Sequence, residues 1–181
     1  LSTARPMANK EALRELQARL AQRMQAAKTE QRGVSWLAVE CAGHGLLFPL
    51  EQAGEIFDAG TVMPVPHTQS WFAGVANLRG GLHGVVDLAA YLGLRAGGAV
   101  DAPREGARLV ALNPGLGVNC ALLVDRLSGL RHESDLAAQR ADDVVRPGFA
   151  GARWRDASGR EWQEIRLAAL AADGQFLAIA S

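Results

Sequence analysis

Apolar and polar positions follow two different rhythms along this chain. Over residues 9–28, NKEALRELQARLAQRMQAAK, Leu13, Leu16, Leu20 and Met24 recur every three or four positions, the spacing of one helix face. The spacing predicts a helix with Asn9 as N-cap, Glu11 in the first turn and a Glu15–Arg19 pair in the favourable order. Five basic residues (Lys10, Arg14, Arg19, Arg23, Lys28) against Glu11 and Glu15 leave it locally positive, which suits a solvated face over a docked leucine stripe, or a partner-binding arm. After TEQRG the apolar residues fall into short β-prone pieces: VSWLAVEC, GLLFPL, TVMPVP, GVANL, LHGVVDL, ARLVALN, GVNCALLVD and LSGLRH. Turn residues separate them at intervals that suit small barrels or a sandwich rather than a parallel sheet with crossover helices.

Between these pieces, DLAAYLGL at 87–94 predicts a short helix capped by Asp87 and stopped by Gly93. The stretch RAGGAVDAPREGA that follows is the expected hinge between two lobes, near 95–106. DLAAQRADDVVRPGFAG reads as a loose connector. WRDASGREWQEIRLAAL predicts a hairpin through Ser158-Gly159 that runs into a final helix, and QFLAIA one more strand or docked segment.

Composition narrows the function classes. A chain of 181 residues holds one domain, or two small lobes sharing a core. With 19 basic and 19 acidic residues the formal charge is zero, so attraction of the whole chain to nucleic acid or an anionic membrane is not expected. No apolar run approaches the roughly 20 residues that span a bilayer, and the N-terminus has no signal-peptide core, which predicts a soluble, cytoplasmic protein without membrane insertion.

Candidate chemistry is sparse. Cys41 and Cys120 sit in apolar runs without CxxC or CxxH spacing, so both read as buried free thiols. His44, His67, His83 and His132 are scattered, with no HExxH pattern, and no metal site is expected. LRGGLHG lacks the order of a dinucleotide loop and the lysine of a phosphate loop, and no GxSxG elbow occurs. No cofactor and no catalytic site are therefore expected. Trp36, Trp71, Trp154 and Trp162 lack the basic interleaving of a nucleic-acid platform and read as packing residues.

One segment stands out: GVANLRGG, residues 74–81. Val75 and Leu78 can anchor strand ends, Asn77 can bond its own turn backbone, and Gly74, Gly80 and Gly81 permit positive φ or a close backbone approach. Arg79 is then held out on a glycine turn, where its planar fork can take a carboxylate in two-toothed fashion. Two roles are open for it: an internal brace to a carboxylate such as Glu55 or Asp87, or a contact to a partner.

The run VMPVPHTQSWFAGVANLRGGLHGVVDLAAYLGL resembles the CheW family of chemosensory coupling proteins. The likeness lies in the order of parts: a strand into PVP, an aromatic before GV, then NLRG, then VVDL leading into a leucine-rich short helix. WLAVECAGHGLLFPLEQAGEIF resembles the family's opening hairpin and ARLVALNPGLGVNCALLVDRLSGLR its second-lobe hairpin, so that 35–132 match closely and 145–180 loosely. The N-terminal helix and WQEIRLAALAADGQFLAIAS are similar to the PilI-type branch, which serves type IV pilus (twitching motility) chemosensory systems. His83-Gly84 stands where many relatives have an apolar residue and proline.

The resemblance implies a mainly β fold: two SH3-like five-stranded β-barrel lobes sharing a hydrophobic core, with an added N-terminal helix and short helices. Residues 1–34 would form the helical extension and 35–181 the family domain. It implies a non-enzymatic adaptor between the cytoplasmic tip of methyl-accepting chemoreceptors and the regulatory domain of a chemosensory histidine kinase, recruited from the cytoplasm to receptor arrays. The implied coupling residues are Ala53, Glu55, Ile56, Gly74, Asn77, Arg79 and Gly80, with Leu109 to Leu112 beside them and Asp87 and Gly81 as turn or brace positions. The alternative is a small-molecule-sensing β-barrel module with its ligand in the cleft between the lobes.

Overall fold

The computed structural model describes residues 7–30, 33–97 and 104–181. The chain forms two compact units, one up to Val34 and one from Ser35 to Ser181. In the first, helix α1 spans Met7–Glu30, two residues further upstream than the leucine spacing alone predicts. Asn9 therefore lies inside the first turn and is not the N-cap; Met7 and Ala8, good helix formers, extend the helix past it. Arg19 and Glu15 pair at 3.2 Å on an exposed face, a contact of only a few tenths of a kcal/mol.

The second unit contains strands β1 (Ser35–Cys41), β2 (His44–Pro49), β3 (Ala53–Asp58), β4 (Phe72–Leu78), β5 (Gly81–Asp87), β6 (Arg108–Leu112), β7 (Cys120–Val124), β8 (Arg126–His132), β9 (Leu136–Ala138), β10 (Ala150–Asp156) and β11 (Glu161–Ile165). Short helices α2 (Leu88–Tyr91), α3 (Leu167–Ala171) and α4 (Gly174–Leu177) sit between and after them. A six-stranded sheet has the order β8-β1-β2-β11-β10-β9 and a five-stranded sheet the order β3-β6-β7-β5-β4. The expected mainly β, two-lobed class is found, and the three-residue β9 adds a sixth strand to one sheet.

The sheets interleave in sequence. The chain crosses from one to the other at residues 50–52 and returns at Asp125 alone. The hinge expected near 95–106 therefore does not separate the sheets: its flanks join α2 to β6, both attached to the five-stranded sheet, and its centre, residues 98–103, lies outside the described residues. A polar, glycine-rich stretch marks a surface connection, but it does not say which sheet either end belongs to.

The strands β1, β2, β6 and β7 read as nearly unbroken apolar runs because both of their faces are covered. Leu109, Ala111, Ala121 and Leu123 point into one core within the five-stranded sheet, while their neighbours Val110, Leu112, Cys120 and Leu122 point the other way. That second set meets Leu37, Val39, Leu46 and Phe48 of the other sheet in a shared central core. Trp36, Ala38, Leu47 and Trp162 fill a third core on the far face of the six-stranded sheet. The five-stranded sheet's own core is rich in alanine (Ala73, Ala76, Ala107, Ala111, Ala121), which suits a tightly curled interior.

Two apolar pieces do not form ladder strands. In TVMPVP, Pro64 and Pro66 carry no N–H, and only Met63 bridges to Val75. In QFLAIA, Asp173 accepts from the Gln175 and Phe176 N–H groups and starts α4, leaving only Ala180 to bridge back to Thr68.

Glu40 on β1 stitches the six-stranded sheet together, accepting from Arg126 at 2.7 Å, Ser128 at 3.1 Å and Arg160 at 2.7 Å. The bonds from Arg126 and Arg160 outweigh its burial and hold its carboxyl down from the ordinary 4.5 to about 2. A depressed carboxylate stabilises the fold above its unfolded pKa, and this stabilisation is lost as pH falls through the folded value. Acid titration monitored by circular dichroism should therefore show stability declining from about pH 4.5 to about pH 2, and Glu40→Gln should flatten part of that decline. An unchanged profile in the variant would remove Glu40 as its cause.

Candidate functional site

The β4–β5 hairpin closes on the pair Leu78↔Gly81, leaving Arg79 and Gly80 as a two-residue turn. Their φ angles, +50° and +77°, are both left-handed, as in the turn that matches the twist of a hairpin. Gly80 adopts that conformation freely, whereas Arg79 carries a strain on the order of 1 kcal/mol. The register of the hairpin holds an arginine where a glycine or asparagine would cost less.

Arg79 projects from this turn with its side chain 76% exposed, and its Nη2 lies 2.5 Å from Oε1 of Glu55 on β3. β3 and β4 are the opposite edges of the five-stranded sheet, so the ion pair spans the two edges that the curl of the sheet brings together. Beneath it is a basin of about 420 Å³ floored by Phe57, Ala76, Leu78 and Leu109, with Asn77 and Asp58 on its walls. The site thus offers one aimed guanidinium and one carboxylate above a small apolar floor, a geometry suited to holding a surface rather than to bond chemistry.

The other implied residues divide. Asn77 is exposed on the rim, and Ile56 is exposed on β3 beside Glu55. Gly74 is buried: its φ is +136°, and a Cβ there would lie 2.1 Å from the Met63 carbonyl oxygen, so it lets the 61–66 segment run against β4. Ala53 is half-buried opposite Leu112. Leu109 to Leu112 are core residues rather than an open groove wall, and of these Leu109 reaches the basin. Gly81 starts β5 and closes the turn.

Asp87 is not the brace of Arg79. It lies at the opposite end of β5, where it caps α2 through the Ala90 N–H and accepts from Arg95 Nε at 3.1 Å and Nη2 at 2.8 Å. Arg95 also donates Nη1 to Asp125 at 2.7 Å, and Asp125 in turn accepts the Ala42 N–H at 2.7 Å. Burial raises the Asp125 carboxyl, but the Ala42 N–H and Arg95 outweigh it and hold it below the ordinary carboxylate value. This cluster joins the five-stranded sheet to the β1–β2 turn at the point where the chain crosses between sheets. Sequence reasoning missed it because Arg95 opens a stretch that reads as flexible and Asp125 looks like any strand-ending acid.

Among the described residues no group of three or more His, Cys, Asp or Glu comes together to hold a metal. Burial pushes the Cys41 and Cys120 thiols up to about 12, which leaves them inert. No described helix is long and apolar enough to cross a membrane.

Two curled sheets around a common core, with polar groups gathered at turns, define a scaffold of twin small barrels. The CheW-like domain model matches residues 35–174, and the chain belongs to that family. Protein PilI of Pseudomonas aeruginosa is 28% identical over 114 residues, spanning 63% of this chain and 61% of that protein. The crystal structure of scaffolding protein TtCheW from Thermoanaerobacter tengcongensis superposes with a TM-score of 0.60 at 16% identity, over 75% of this chain and 85% of that one, a likeness of fold.

The two arginine sites should respond differently to truncation. Arg95→Ala leaves the buried Asp87 without a cation and Asp125 with only Arg104 at 3.9 Å, and should cost about 3 kcal/mol in urea unfolding. Arg79→Ala removes an exposed pair and should cost less than about 1 kcal/mol. Equal costs would contradict this division.

Proposed function

We propose that the chain is a non-enzymatic adaptor that couples the cytoplasmic tip of methyl-accepting chemoreceptors to the regulatory domain of a chemosensory histidine kinase, working in the cytoplasm at membrane-associated receptor arrays. Membership of the CheW-like family supports the coupling role, and the similarity to PilI supports a type IV pilus (twitching motility) pathway. The observation that carries the reading is the Arg79 turn: an arginine held in a left-handed conformation, aimed by Glu55 and largely open to solvent.

Glu55 orients the guanidinium while water still reaches most of its donors, so a partner carboxylate can replace or join Glu55 at little cost. Asn77 and Ile56 extend the contact with a polar and an apolar neighbour, and Ala53, Gly74 and Gly80 support it through the backbone. An interface of this size is weak alone and gains strength from multiplicity in an array.

In pull-downs with the isolated kinase regulatory domain and with the receptor tip, Arg79→Glu should weaken at least one of the two by about tenfold or more while the melting temperature stays near that of the wild type. Reconstituted kinase should then lose control by receptor. Wild-type binding to both partners in Arg79→Glu would overturn the assignment.

A further inference from the structure

Away from the Arg79 turn, a second cavity of about 580 Å³ opens between β2, β10 and β11 on one side and α2 and α4 on the other. That volume falls in the range of small-molecule sites, about 300–1,000 Å³. Its floor is apolar, made by Leu46, Phe149 and Ile165 with Leu92 and Leu94 from the end of α2. Its rim is polar and unevenly charged: Arg146, Arg153 and Arg160 stand against Glu161 and Asp173.

The ion pairs leave the rim with an excess of positive charge. Glu161 is paired with Arg155 at 2.7 Å, and Asp173 is occupied by the Tyr91 hydroxyl and the first N–H groups of α4. Glu161 is thus neutralised, whereas Asp173 stays a charged carboxylate whose bonds all fall on Oδ1. The rim arginines are not fully matched: Arg146 and Arg153 share the single carboxylate of Asp142, one guanidinium on each oxygen, and Arg160 shares Glu40 with Arg126. Four guanidiniums divide two carboxylates. Arg153 gives one Nη to Asp142, so its planar fork keeps donors for a further anion beside the apolar floor.

We infer that this cavity binds a small amphipathic monoanion, its apolar body on the Leu46–Phe149–Ile165 floor and its carboxylate head on Arg146 and Arg153. Asp142, carried on the exposed connector between β9 and β10, holds the two guanidiniums in place when the ligand is absent and shares or yields them when it binds. Apolar burial supplies the affinity and the unmatched arginine charge selects the sign of the head group. The site lies apart from the Arg79 basin, and its occupancy is measurable on this chain alone, whatever the outcome for the adaptor role.

The test uses octanoate as probe, with octylamine and 1-octanol as equal-length controls of opposite and zero charge, read by thermal shift and titration calorimetry on the full chain. Octanoate should raise the melting temperature and give saturable heat, the two controls should bind about tenfold more weakly or not at all, and Arg146→Ala with Arg153→Ala should weaken octanoate by about tenfold. The comparison of head groups on the wild-type chain decides the matter even if the double variant does not fold. No octanoate binding, equal binding of octylamine or octanol, or undiminished binding by a folded double variant would overturn the inference.

Discussion

Strands with no solvent face constrain the rest of this domain. β1, β2, β6 and β7 each send alternate side chains into a barrel interior and into the shared central core, so a change of register by one residue would exchange one packed layer for another. Those four strands offer no open face, which leaves the turns and the exposed strands such as β3 for contacts. The two crossings between sheets are also kept short, and the return crossing at Asp125 is secured by the Ala42 N–H and Arg95.

Two arginines near the two ends of β5 show how one residue type serves opposite ends under different dielectric conditions. Arg95, 16% exposed, has both flanks matched by Asp87 and Asp125, and its charge is held because removing it would strand Asp87 and leave Asp125 only the longer contact to Arg104. Arg79, far more open, gains little from Glu55, and a group that stabilises the fold so weakly is available to a partner. The strained turn beneath Arg79 fits the same reading, because a left-handed arginine is retained at a cost to stability.

Much of this was legible in the residues. The NLRGG turn, the Asp87 cap of α2 and the Ser158-Gly159 hairpin all follow from local chemistry, and local chemistry survives folding. What was not legible depended on long-range pairing. Nothing in the residues says that β3 and β4, the edges joined by Arg79 and Glu55, belong to the same curled sheet. Asp87, one of two carboxylates the residues offer to Arg79, pairs with Arg95 instead, eight residues downstream in a stretch whose glycines suggest a loose hinge. The proline-broken TVMPVP shows the opposite error, in which β-prone residues outweighed the two missing N–H groups.

The central claim is that the Arg79 turn and the β3 edge beside it form the face that meets the signalling partner. Backbone amide shifts of the isotope-labelled chain, followed during titration with the kinase regulatory domain and separately with the receptor tip, test it most directly. For at least one of them, the largest changes should fall on Glu55, Ile56, Asn77, Leu78, Arg79, Gly80 and Gly81, with little at β9 and β10. Changes centred on β9 and β10, with the Arg79 turn unmoved by either partner, would contradict it.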